Sequence, residues 1–276
     1  MVRVQPVLNA AEFDAPALSP YRTMRWQEPQ RQQGIFVAEG EKVVRRLLES
    51  DLEVVSLLLP AKWYEQYAEL LAKRPEAEIP VFAAEKEVLE KLTGYSFYQG
   101  VLAVGRVPKK LTVEDVLGMK QRTPRLLVVL DSVSNAPNMG GLIRNCVGFG
   151  ADALVVGETC CSPWLRRSVR SSMGTIFKLP IVEAVKLPES IEVMKRGGIR
   201  IIAAHAHAEE KSLTQIDFRA DCAVVLGSEG HGISKEVLAL CDDEVVIPMQ
   251  NQVDSLNVGT AGAIFLYEVS RQRGKV

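Results

Sequence analysis

Leu126-Leu127-Val128-Val129-Leu130-Asp131 is an unbroken apolar run closed by a single acid. A strand with one wet face alternates apolar and polar residues, so this run predicts a strand buried on both faces of a parallel sheet. Further strands are expected at Ala153 to Val156, Leu179 to Val182, Arg200 to Ala204, Ala223 to Leu226 and Glu244 to Met249. Between them, helical periodicity falls at Gly140 to Phe149, Arg166 to Met173, Glu189 to Lys195, Lys235 to Cys241 and Leu256 to Arg273. Such alternation specifies a doubly wound α/β domain, in which ligands sit beyond the carboxyl ends of the strands.

Upstream, a second and smaller α/β pattern reads as strand Ile35 to Ala38, helix Glu39 to Ser50, strand Val54 to Leu59, helix Lys62 to Lys73, strand Val81 to Ala83, helix Glu85 to Leu92 and strand Val101 to Val107. Pro108, Lys109, Lys110, Gly118 and Pro124 punctuate the stretch that follows. The chain therefore divides into an N-terminal extension (1–20), a small α/β domain (21–107), a linker (108–124) and a larger α/β domain (125–276).

Composition bounds the function. With 276 residues, 47% hydrophobic and 24% charged, the chain resembles ordinary globular proteins. Its net charge of −1 lacks the global basic bias of many nucleic-acid binders, so RNA contact would rest on local patches. Candidates are Arg22, Arg25 and Arg31, then Arg166, Arg167 and Arg170, then Lys109 and Lys110; Trp26 and Trp164 lie beside two of these clusters and offer rings for stacking or for packing. The five cysteines form no CxxC pair and read as reduced intracellular thiols. No apolar run approaches the ~20 residues that span a membrane, and the first residues carry Glu12 and Asp14 without a long apolar stretch, so a cytoplasmic location is expected. His205-Ala206-His207 with Glu209 finds no matching ligand set, so no metal is expected; a loop after a strand is the better reading.

Neither G-x-G-x-x-G after the first strand of either domain nor G-x-x-x-x-G-K-[ST] occurs, which disfavours a dinucleotide-dependent enzyme and P-loop chemistry. Three other segments fall at predicted strand ends. Asn135-Ala136-Pro137-Asn138-Met139-Gly140-Gly141-Leu142-Ile143-Arg144-Asn145 follows the Leu126 strand; Asn138 can cap the next helix, and Arg144 two turns on can engage a phosphate or a developing alkoxide. Gly227-Ser228-Glu229-Gly230-His231-Gly232 follows the Ala223 strand, with glycines that allow close backbone approach and a carboxylate at Glu229; a plain strand-to-helix turn would look the same. Finally, Ile247-Pro248-Met249 leads to Ser255-Leu256-Asn257-Val258, placing Ser255 at or beside a helix N-cap and Asn257 in the first turn; taken alone, a serine cap with a polar first turn is the favoured explanation.

Together these segments resemble the three ordered motifs of the SpoU family of RNA ribose 2′-O-methyltransferases. Gly34-Ile35-Phe36-Val37-Ala38-Glu39-Gly40 and Tyr98-Gln99-Gly100-Val101-Leu102-Ala103 resemble that family's N-terminal substrate-binding domain. Asn251 stands where the family usually has glycine, and Gly259 where serine often follows the valine. The resemblance implies a SPOUT fold, an α/β domain with a mainly parallel sheet and a deep trefoil knot, preceded by a small α/β RNA substrate-binding domain. It implies S-adenosylmethionine as cofactor, a homodimer formed through the C-terminal domain, and RNA as substrate. Ribosomal RNA, 23S above all, comes first and transfer RNA second; a non-catalytic RNA-binding or ribosome-assembly factor on the same fold is the rival. It further implies Gly227, Gly230, Ile247, Met249, Leu256 and Ala204 as cofactor-binding residues, and Arg144, Asn138, Glu229, Ser255 and Asn257 as the catalytic set.

Overall fold

The computed structural model describes residues 2–6, 14–26, 28–94, 100–119, 124–206, 211–228, 230–251 and 254–275. Glu229, His207, Glu209, Tyr98 and Gln99 lie outside the described residues. In chain order the elements are β1 (Val2–Pro6), α1 (Ser19–Arg22), α2 (Glu28–Gln33), β2 (Ile35–Glu39), α3 (Glu41–Leu48), β3 (Val54–Pro60), α4 (Tyr64–Ala72), β4 (Ile79–Ala84), α5 (Lys86–Thr93) and β5 (Leu102–Arg106). There follow α6 (Val113–Gly118), β6 (Leu126–Leu130), α7 (Ala136–Gly148), β7 (Ala153–Val156), α8 (Arg166–Ser171), β8 (Ile181–Glu183) and α9 (Leu187–Arg196). The last are β9 (Arg200–Ala204), β10 (Lys211–Ser212), β11 (Cys222–Leu226), α10 (Lys235–Leu238), β12 (Asp243–Val246) and α11 (Val258–Gln272).

Two compact units result: residues 1–108 with 164–177, and residues 109–163 with 178–276. The division read from the sequence placed 164–177 in the second domain, and contacts place it in the first unit. The reason is local. Trp164 and Phe177 flank the Phe36 ring of β2 at centroid distances of 5.2 and 5.5 Å, and the buried Glu39 carboxylate receives both Arg166 and Arg170. Two arginines proposed for RNA are therefore engaged by Glu39 within their own unit. Phe36 in turn depends on its cross-strand partner Gly105, where an added Cβ would stand 2.4 Å from the ring.

The first unit's sheet has the order β1-β4-β3-β5-β2, with β1, β4 and β3 parallel and β5 antiparallel to both its neighbours. One face packs a core that includes Leu18, Tyr21, Met24, Leu58, Phe82 and Leu89. The segment read as an N-terminal extension contributes β1, a correction to the sequence reading. Val2-Arg3-Val4 holds too few apolar residues to announce a strand, and pairing with β4 supplies the backbone partners that make it one.

Among the described residues the second unit carries seven strands, β10-β12-β9-β11-β6-β7-β8, every pair parallel. As the opening run predicts, β6, β7 and β11 are buried along their whole length. One face meets α6, α9 and α10 through Val116, Ile191, Met194 and Val237. On the other, α11 packs on α7 so closely that a Cβ on Gly262 would lie 2.6 Å from Leu142 and 3.1 Å from Leu226. The guanidinium of Arg273 ties the end of α11 to the carbonyls of Pro124, Arg125, Phe218 and Ala220 at 2.6–3.0 Å. All five cysteines are free thiols. Among the described residues no helix is long and apolar enough to cross a membrane.

Candidate active site

The site grows from the ends of β9, β11 and β12. Strand β12 stops at Val246, earlier than the sequence reading, because Pro248 has no N–H to offer a ladder. The chain then turns at Asn251, whose φ of +56° is left-handed. Asparagine is the residue that best tolerates this region after glycine, which accounts for Asn251 at a position where glycine was expected.

Helix α11 begins at Val258, and Asn257, not Ser255, is its N-cap: the Asn257 Oδ1 accepts the N–H groups of Gly259 at 2.9 Å and Thr260 at 3.4 Å. Likewise Asn135, not Asn138, caps α7, accepting the Asn138 N–H at 3.1 Å. Both sequence placements slipped because each segment holds two capping residues within four positions, and only geometry chooses between them. The consequence is chemical. With Asn135 doing the capping, the Asn138 Oδ1 receives Asn257 Nδ2 at 3.2 Å, while Asn145 Nδ2 donates to the Gly259 carbonyl at 2.9 Å. Two helix starts are thereby locked together, with exposed Arg144 on α7. Among the described residues the Arg144 side chain has no hydrogen-bond or ion-pair partner, so its charge is available.

The glycine turn after β11 is closed on itself. Ser228 and Gly232 exchange both backbone hydrogen bonds at 2.9 and 3.0 Å, and a Cβ on Gly227 would sit 2.1 Å from the Gly232 carbonyl carbon. Only glycine fits there, since nothing in backbone can yield as a flexible side chain does. Asp131, buried at the end of β6, holds both ends of this turn. Its N–H donates to Leu226 O at 2.9 Å, and its Oδ2 accepts the Ser234 N–H at 2.7 Å.

A cavity of about 480 Å³ opens between these elements, a size suited to a small ligand. Gly227, Gly230, Ile247, Met249, Leu256 and Ala204, the six positions assigned to a cofactor, all line it, and so does Ser255. Arg144, Asn138 and Asn257 do not. His205, Ser228, His231 and Asp254 also line the cavity without having been assigned to it. The signal that finds them is position: each lies within a few residues of a strand end or of the helix start. His205 is anchored by Glu244, Nδ1 to Oε2 2.7 Å. Apolar walls come from Leu226, Ile247, Leu256, Val258 and Phe265, so the space combines a greasy slot with polar turns.

Fold and cavity define an α/β protein whose parallel sheet carries a cavity at its carboxyl edge, with an arginine presented from a neighbouring helix. The chain belongs to the SpoU rRNA methylase family, whose model matches residues 125–267. Residues 37–109 match the model for RNA 2′-O ribose methyltransferase substrate binding. An uncharacterised tRNA/rRNA methyltransferase of Mycobacterium tuberculosis is 31% identical over 96% of this chain and 92% of its own length. A second, from Synechocystis, is 28% identical over 94% and 92%. The fold is also that of the AdoMet-bound rRNA methyltransferase of Sinorhizobium meliloti, at TM-score 0.82, 23% identity and coverage of 97% and 98%. The SpoU methyltransferase AviRb of Streptomyces viridochromogenes follows, at 0.80, 24%, 95% and 97%.

Proposed function

We propose that the chain methylates a ribose 2′-hydroxyl of RNA with S-adenosylmethionine, ribosomal RNA (23S) being the first candidate and transfer RNA the second. The observation that carries this reading is the convergence of three strand ends: the residues after β9, the turn after β11 and the stretch that runs from β12 into the start of α11 enclose one cavity, while α7, packed on α11, presents Arg144. The residues fit the cofactor. Leu226, Ile247, Leu256 and Phe265 offer an apolar slot for an adenine ring, and the backbone of the Gly227 and Met249 turns offers polar groups for its edge. The Sinorhizobium neighbour, solved as an AdoMet-bound rRNA methyltransferase, supports both the cofactor and the RNA class.

S-adenosylmethionine supplies an electrophilic methyl group. The protein must bring a poor nucleophile in line with it and help that hydroxyl lose its proton. Arg144 is the group suited to the second task by charge alone. A guanidinium holds its proton too firmly to serve as a base, so its part is to stabilise the forming alkoxide, with the proton passing to an RNA phosphate. Asn138 and Asn257 hold the α7 and α11 starts in register around it, and Ser255 and Glu229 complete the proposed set. A deep trefoil knot and a homodimer through the second unit belong to this proposal, as does a cytoplasmic location, which accords with five free thiols.

A tritiated-methyl assay on RNA, alongside calorimetry with S-adenosylmethionine and NAD, tests it. Cofactor binding without NAD binding, and label in ribose, are expected. Cofactor binding with RNA affinity but no transfer under any condition would instead favour the non-catalytic assembly factor, against which the presence of Arg144, Asn138 and Asn257 argues.

A further inference from the structure

Trp26 keeps 68% of its surface exposed, although tryptophan is the largest apolar side chain. The turn beneath it is fixed. Trp26 N–H donates to Thr23 O at 2.8 Å, Gln30 Nε2 donates to the same carbonyl at 3.1 Å, and Arg25 Nη2 donates to Gly94 O at 2.6 Å. Met24 is buried beside it, and Tyr21, wholly buried, is hydrogen-bonded to Ser56 at 2.8 Å. An indole on such a base has little backbone freedom left to lose on binding, the condition that favours a preformed contact.

The other tryptophan beside an arginine cluster is already committed. Trp164 packs on Phe36, and its neighbours Arg166 and Arg170 hold Glu39. Arg25 and Arg31 are exposed, and among the described residues Arg31 has no ion-pair partner. Of the nearby acids, Asp14 takes Arg22 and Glu28 accepts from Gln32. Trp26 also precedes residues 37–109, so the match to the substrate-binding model does not assign it.

We propose that Trp26 is a stacking platform for an unpaired base of the substrate RNA, with Arg25 and Arg31 meeting the flanking phosphates. This rests on the RNA reading above and narrows it: the first unit would engage a loop or bulge, because bases inside a duplex have both faces covered. Its affinity would fall with salt through the two arginines.

The test uses the full chain and two fluorescein-labelled probes, an RNA stem–loop and a blunt-ended duplex of the same stem. Trp26→Ala is expected to weaken stem–loop binding about five- to hundredfold, the range for losing one stacked base, and to leave duplex binding as in the wild type. Trp26→Phe should restore most of the affinity. Stem–loop binding should quench tryptophan emission in the wild type and much less in Trp26→Phe, where Trp63 and Trp164 remain. Unchanged stem–loop affinity in Trp26→Ala, with the wild type still methylating RNA, overturns the inference alone. A wild type that binds no RNA overturns the functional reading with it. A change of sedimentation in Trp26→Ala at constant RNA affinity also overturns it, in favour of a second copy docking there.

Discussion

Asn257 serves two helices with one side chain: its Nδ2 donates to Asn138 Oδ1 on α7 at 3.2 Å, and its Oδ1 accepts the first N–H groups of α11. The two halves of that amide can be separated. Asn257→Asp keeps the cap and turns the donor into an acceptor facing Asn138, so melting should stay near the wild type while methyl transfer falls. Asn257→Ala loses both and should cost about 1 kcal/mol of stability besides. Equal transfer rates in the wild type and Asn257→Asp would remove the contact from function.

Arg144 has no partner among the described residues and is exposed, so its removal should hardly touch the fold. Arg144→Ala is expected to unfold within about 0.5 kcal/mol of the wild type. Methyl transfer should fall about 10²–10³-fold, the scale of losing one transition-state donor. Calorimetry should find cofactor affinity intact. Near-normal turnover would exclude the guanidinium from the chemistry.

The Gly227 turn is expected to be intolerant of a single methyl group. Gly227→Ala sets Cβ against the Gly232 backbone at 2.1 Å, and should destabilise by about 1–3 kcal/mol or force the turn open. Asp131→Asn acts on the same turn more gently, exchanging a charged acceptor of the Ser234 N–H for a neutral one. Both should raise the dissociation constant for S-adenosylmethionine, Gly227→Ala the more. Unaltered affinity in Gly227→Ala would mean the turn does not touch the ligand.

Arg273 is a clasp: Arg273→Ala takes this donor from the carbonyls of Pro124, Phe218 and Ala220, while that of Arg125 keeps the Cys222 N–H. A loss of about 2 kcal/mol or more is expected in urea unfolding, since unpaired acceptors carry their desolvation cost. At low temperature, where the fold persists, cofactor affinity should match the wild type.

The first unit should be acid-sensitive at Glu76. Burial pushes this carboxyl up, but hydrogen bonds from Arg74 and the Val54 N–H, with the arginine charge, outweigh it and hold the group below the ordinary glutamate range. A depressed folded value means the contribution is present above the unfolded value of about 4.3 and is lost as pH falls through the folded one. Urea midpoints measured downward from neutral pH should drop below that value, and Glu76→Gln should flatten part of the drop.

The sheet of the second unit was legible because burial on both faces leaves a signature no loop imitates: Leu126 to Leu130 and Cys222 to Leu226 are apolar without interruption. The cavity was legible for a different reason, since Gly227, Ile247 and Leu256 stand at strand ends and helix starts, where a parallel sheet must place its ligands. What the sequence hid were choices between near-equals. Asn135 against Asn138, and Ser255 against Asn257, are chemically similar caps a few residues apart, and the winner is set by helix-to-helix contact. Pairings across long separations were hidden as well. Nothing in the periodicity of Arg166 to Ser171 announces Glu39, and nothing in Val2-Arg3-Val4 announces β4. His231 and Asp254 carried no local pattern, because a turn residue acquires a role only when its strand end meets two others.

The segment 164–177 is encoded in the middle of one unit and folded into the other. A gene fragment ending at Pro108 would omit the residues that cover Phe36 and neutralise Glu39, leaving an aromatic ring and a carboxylate to water. The first unit is therefore not a portable cassette: neither evolution by simple fusion nor an engineer cutting after Pro108 could transplant it whole, and any graft would have to carry both pieces of chain.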